Sequence, residues 1–311
     1  MDFFQNVNEC YSSHYIETNL QKDIEKEWQH RWRKAGKDST PEKLKSLSKL
    51  YKEAKTDARR ITLIPKRWQQ QCEKDSILST WHKEFLKSLG YDSLVAEEVK
   101  IRGDVCEILH VERRNEKPWV YIIETAFALT SDYLSENSAE EDPFSWEPSN
   151  ITARKESAMS SMIWSKILVS IFATENAPRW IIFTAGAKVY LLDRDKFADG
   201  RYVSFDLDKI FSSSRPSQSE LEVLSTFLSR ETLCSSADEQ SNFVETINEQ
   251  STRFSHGVSE KLQYAVKEAV EILANEYLDW RALQGYAKSR RRPEEMSDGE
   301  GEEITAEGLR H

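Results

Sequence analysis

Residues 177–211 read APRWIIFTAGAKVYLLDRDKFADGRYVSFDLDKIF. A β-branched run, Trp180–Thr184, meets Ala185-Gly186. A second apolar run, Lys188–Leu192, ends in a charged turn over Asp193–Gly200, and a third, alternating run, Arg201–Leu207, leads into a short helix start. Strand-length runs with turn residues at each corner predict a meander of β-strands.

Working outward towards the amino terminus, Thr152–Thr174 reads as one long helix, with Met159, Met162, Ile163, Ile167, Ile171 and Phe172 at helical spacing. Ser131–Asn150 is acidic and irregular and reads as a loop. Trp119–Thr125 is an apolar run fit for a buried strand; Leu94–Ile101 and Val105–Glu112 are strand-like, and Arg113–Pro118 turns. Residues 16–90 read as helical. Asp23–Lys34 and Pro41–Lys55 carry helical spacing, the second with Thr40 as N-cap and Pro41 in the first turn. Ser76–Leu89 puts Ile77, Leu78, Trp81, Phe85, Leu86 and Leu89 on one stripe, and Gly90 stands where a helix stops.

Towards the carboxyl terminus, Ser219–Leu228, Asn242–Ser251 and Ser259–Asp279 read as helices. The last is strongly periodic (Leu262, Val266, Ala269, Val270, Leu273, Tyr277), with Ser259 as N-cap and Glu260 at the positive end of the dipole. Residues 286–311 switch from a basic to an acidic block and read as a linker. Thr305 then looks like the cap of a further helix, so more protein is expected beyond His311. The division expected is 1–90 helical and basic, 91–211 α/β, 212–285 helical, and 286–311 linker.

The chain of 311 residues is 39% hydrophobic and 31% charged, enough for a sizeable core. No apolar run approaches the roughly 18 residues of a membrane span, and MDFFQNVNECYSSHY lacks the basic and apolar regions of a signal peptide. Cys10, Cys72, Cys106 and Cys234 are scattered, which fits buried thiols in a reducing cytoplasm. The net charge is −10, yet between Lys22 and Lys74 basic residues outnumber acidic ones two to one. That stretch sets Trp28, Trp32 and Trp68 beside Arg31, Arg33, Arg59, Arg60, Lys66 and Arg67. Basic residues interleaved with aromatics suit a phosphate backbone or stacked bases. The same pattern fits a solvated helix surface whose tryptophans turn to the core.

The order helix, strand, strand, strand, helix, strand over residues 76–184 fits an α/β mixed sheet with a PD-(D/E)xK nuclease-like core, flanked by helical segments. Such a core sets an acid on one strand and an acid-x-Lys on the next; the carboxylates hold Mg²⁺ at the scissile phosphate and the lysine polarises water. Asp104 and Glu124 take the acid positions, with Glu98 or Glu97 as the extra acid. The lysine position is Ala126, so the site is degenerate unless Lys100, Lys117 or Lys155 reaches in. In a different α/β arrangement Asp104 is a turn residue and Glu124 a paired buried acid. No G-x-G-x-x-G, Walker A, G-x-S-x-G or Asn-Pro-Pro-Tyr motif stands in the chain. His256 precedes a predicted helix and reads as a local hydrogen-bonding residue.

The pattern W-x-x-x-x-x-G-x-x-x-x-L-x-D from Trp180, followed by RYVSFDL from Arg201, resembles the amino-terminal region of large adenine-specific DNA methyltransferases. These are the type IIG restriction–modification enzymes and the BREX and DISARM phage-defence proteins. HGVSEKLQYAVKEAVEILANE from His256 resembles a helix in the same proteins. The resemblance implies a downstream domain that uses S-adenosylmethionine, with DNA and other defence-system proteins as partners. Active Mg²⁺-dependent cleavage and a protein-interaction scaffold are the competing readings.

Overall fold

The alternating runs around residue 190 build three adjacent strands in the computed structural model, which describes residues 2–62, 77–101, 104–128, 142–147, 151–152, 162–212, 216–234 and 242–289. Strands β7 (Trp180–Gly186), β8 (Lys188–Asp193) and β9 (Tyr202–Asp206) pair antiparallel, as the meander predicts. β1 (Phe4–Val7) closes one side on β9, with Phe4 opposite Phe205. On the other side β5 (Lys117–Ala128) runs parallel to β7, and β4 (His110–Arg114) pairs antiparallel with β5. The six-stranded mixed sheet therefore has the order β1-β9-β8-β7-β5-β4.

β2 (Glu97–Ile101) and β3 (Asp104–Ile108) form a hairpin that joins β6 (Ile151–Thr152) in a separate three-stranded sheet. The predicted single strand Val105–Glu112 thus breaks at Leu109. Its first half belongs to the small sheet and its second half to the large one.

Side-chain parity sorts the large sheet into two faces. Val120, Ile122, Trp180, Ile182, Val189, Leu191, Val203 and Phe205 enter one buried cluster, whereas Tyr121, Ile123, Ile181, Phe183, Tyr190 and Leu192 enter another. The first face is covered by helices. These are α1 (Ser13–Thr18), α2 (Leu20–Ile24), α3 (His30–Ala35), α4 (Thr40–Ser46), α5 (Ser48–Thr62) and α6 (Ile77–Ser88) before the sheet. After it come α8 (Leu207–Phe211), α9 (Gln218–Leu228), α10 (Arg230–Leu233) and the first turns of α11 (Phe243–Ser289). The second face is covered by α7 (Trp164–Phe172), the small sheet and Phe144. Burying both faces is what a strand such as β7, apolar on each side, requires.

Several expected boundaries move. Residues 20–35 are helical throughout, with a π turn over Glu25–Gln29 joining α2 to α3. Pro41–Lys55 divides at Leu47 into α4 and α5, and the N-cap of α4 is Ser39. The Thr40 hydroxyl instead donates to Glu231 Oε1 at 2.7 Å. The helix expected from Thr152 starts at Trp164, because Thr152 is in β6 and Ile163 is extended. Asn242–Ser251 and Ser259–Asp279 belong to one helix, α11, so Ser259 and His256 are interior positions and residues 286–289 continue the helix. Asn242 starts it: its Oδ1 accepts from the Glu245 backbone N–H at 2.7 Å. The loop expected over Ser131–Asn150 lies outside the described residues except for 142–147.

The chain divides into two compact units, Met1–Ser255 and His256–His311. The expected segments 1–90 and 91–211 share the first, and residues 3 to 247 contribute to one core cluster. Among the described residues no helix is long and apolar enough to cross a membrane.

Candidate functional site

Glu124 continues the alternation Val120, Ile122 on β5 and so points to the helix-covered face of the sheet. Opposite it lies His82, which falls on the buried stripe of α6 between Leu78 and Leu86. Imidazole Nδ1 and the Glu124 carboxylate are paired. The histidine side chain is 8% exposed and the glutamate 34%. Burial alone pushes the Glu124 carboxyl up, but the adjacent His82 and the charge of Lys83 hold it below its ordinary value. The pairing register with β7 is regular up to Glu124–Thr184 and then shifts before Ala128–Gly186. This irregularity follows immediately after the acid, a place where sheets commonly re-aim side chains. On the opposite face, Thr125 accepts from Trp164 Nε1 at 2.9 Å, which anchors β5 to α7.

The other expected metal-site acids are not on this sheet. Glu98 is exposed on β2, opposite Glu107 of β3, and Asp104 is the first residue of β3, paired with Ile101. The side chain of Asp104 lies outside the described residues. Glu97 is spent on a two-armed ion pair with Arg113, one arm at 2.6 Å, which holds its carboxyl low. Among the described residues no group of three metal-ligating side chains assembles. Magnesium prefers several oxygen ligands, and at position 124 the described donors are one carboxylate and one imidazole, a set that does not fit it.

The expected DNA-contact residues fall on the amino-terminal helices. Arg31 and Arg33 are exposed on α3, and Arg59 and Arg60 are exposed near the end of α5. Arg31 lies over the Trp28 ring, 4.8 Å from its centroid, and Arg60 pairs with Asp57 at 2.7 Å. Lys66, Arg67 and Trp68 lie outside the described residues. Trp28 and Trp32 do not serve as stacking platforms. Both are buried, their rings 5.7 Å apart, and Trp32 Nε1 donates to Glu231 at 2.8 Å. The tryptophans dock the helices, which leaves the basic side chains as the outward feature.

His82 is the site residue that sequence reasoning passed over. Its signal was available: position 82 lies four residues from both Leu78 and Leu86, on the apolar stripe, and an ionisable group there needs a partner. Among the described residues the thiols of Cys10, Cys106 and Cys234 are held towards their neutral form. Burial pushes Cys10 up to about 11 and Cys106 and Cys234 up to about 12.

No family model, no curated protein and no solved structure matches the chain.

Proposed function

We propose that the chain is the amino-terminal, nuclease-like module of a cytoplasmic restriction–modification or phage-defence DNA methyltransferase, and that it docks on DNA without cutting it. Its partners are then duplex DNA, a downstream methyltransferase domain that binds S-adenosylmethionine, and other defence-system proteins. One observation carries the reading: α6, the antiparallel strands, β5, the crossover helix α7 and the parallel strand β7 follow in the order of a PD-(D/E)xK core, with an acid at position 124. The position two residues on is alanine and Glu124 is paired with His82, so the lysine that would polarise water is missing from its place in the acid-x-Lys pattern. The exposed arginines of α3 and α5 put local positive charge on an acidic protein, and local positive charge is what attracts a polyanion.

Fluorescence anisotropy with a labelled duplex tests the docking. Binding is expected to weaken linearly on a log–log salt plot, and the double variant Arg59→Glu/Arg60→Glu is expected to lose about tenfold or more in affinity. Absence of binding at low salt would sink the proposal and leave the scaffold reading. Plasmid incubated with Mg²⁺ or Mn²⁺ is expected to stay intact. Nicking that Glu124→Gln or Asp104→Ala removes would instead establish an endonuclease with a migrated lysine.

A further inference from the structure

The second unit carries a helix whose apolar face is uncovered. Within residues 256–289 of α11, Val266, Val270, Leu273, Tyr277 and Trp280 recur at alternating spacings of four and three, and all are more than half exposed. That spacing is a heptad seam. It sets Gln263, Val270, Tyr277 and Gln284 at the first core position and Val266, Leu273 and Trp280 at the second. Leu262, Tyr264, Ile272, Leu278 and Leu283 are also exposed and lie off the two core positions. A lone helix in water gains nothing from such a stripe, because helices of this kind are stabilised by packing their apolar face.

We infer that this stretch pairs with a second copy of the chain as a parallel, in-register two-stranded coiled coil. Three features on the helix select that occupant. A β-branched residue at the first core position (Val270) followed by leucine at the second (Leu273) favours two strands. Polar residues at two first-core positions, Gln263 and Gln284, tolerate each other across an in-register seam and penalise a slipped one. The flanks are complementary in the parallel sense: Glu276, before one heptad, faces Arg281 of the other chain five positions on, and the pair repeats by symmetry. In the antiparallel arrangement Glu276 meets flank positions of its own kind, which are Leu262, Ala269 and Leu283.

Sedimentation velocity of the full chain tests this over a range of concentrations. The expected result is a concentration-dependent species of twice the chain mass, abolished by Leu273→Asp while the thermal midpoint of residues 1–255 stays in place. Arg281→Glu or Glu276→Arg alone is expected to weaken the dimer about two- to fivefold, and the two together to restore it. A monomer at every concentration, or a dimer indifferent to Leu273→Asp, overturns the inference. Failure of the charge swap to restore association overturns the parallel register. None of these outcomes bears on DNA binding by α3 and α5.

Discussion

Ionised groups on the inner surfaces of this fold are held both by near neighbours and by partners from distant parts of the chain. Glu112, on β4, accepts from His110 Nε2 at 3.1 Å and from Arg230 Nε on α10 at 2.8 Å. The His110 contact first, against the cost of burial, and then Arg230 bring its carboxyl down to about 2. A carboxyl depressed in the folded state adds stability that is fully present above the unfolded value and is lost as pH falls through the folded one. Glu112→Gln is therefore expected to lower the unfolding free energy by about 1–3 kcal/mol at neutral pH. The difference from the parent should close as pH falls from about 4.5 towards 2. Urea titrations at neutral and acid pH check this, and a penalty that persists undiminished at the acid end would assign it to packing instead. At this scale the sequence showed that Glu124 needed a partner. It did not show which one, because the pairing of residue 82 with 124 depends on how α6 lies across β5.

Elements obey local rules more closely than their boundaries do. The β4–β5 turn consists of Asn115 and Glu116, both with positive φ (51° and 65°). A two-residue hairpin of that form favours glycine at the second position, and a side chain there is strained. Glu116→Gly is expected to raise stability by about 0.5–1 kcal/mol, read as a higher urea midpoint with unchanged slope; a lower midpoint would mean the turn adopts another form. The meander of β7, β8 and β9 was legible because alternation and turn residues agree. Three elements were not. The break at Leu109 divides a run that periodicity reads as continuous, since Ile108 and His110 are both buried but in different sheets. The helix at 164–172 begins later than its apolar spacing predicts: Thr152 pairs with Val105 in β6 and β3, and the backbone at Ile163 is extended. Gly257 does not end α11: a glycine inside a helix costs about 1 kcal/mol, too little to stop it where the flanks propagate.

For the molecule as a whole, composition indicated a sizeable core, and the contacts place residues 1–255 in one unit around it. The amino-terminal helices read as a separate basic segment because their charges face outward. Their apolar stripes cover one side of the sheet, a demand that arises only once the sheet exists. The last buried members of that core are Val244 and Ile247, with Phe254 packed against it. A chain ended after Ser255 is expected to unfold cooperatively with a thermal midpoint within a few degrees of the full chain, by calorimetry. A broad or strongly lowered transition would show that the remaining length of α11 helps to hold the first unit.

The pairing of β1 with β9 has a consequence for synthesis. Phe3 and Phe4 belong to the core, and Phe4 lies opposite Phe205, about 200 residues away along the chain. On a ribosome adding about 5–20 residues per second, that strand waits roughly 10–40 s for its neighbour to emerge. Throughout that interval a pair of phenylalanines and an unpaired strand edge are displayed by the nascent chain, so the side of the sheet at β9 can close only after most of the first unit has been made.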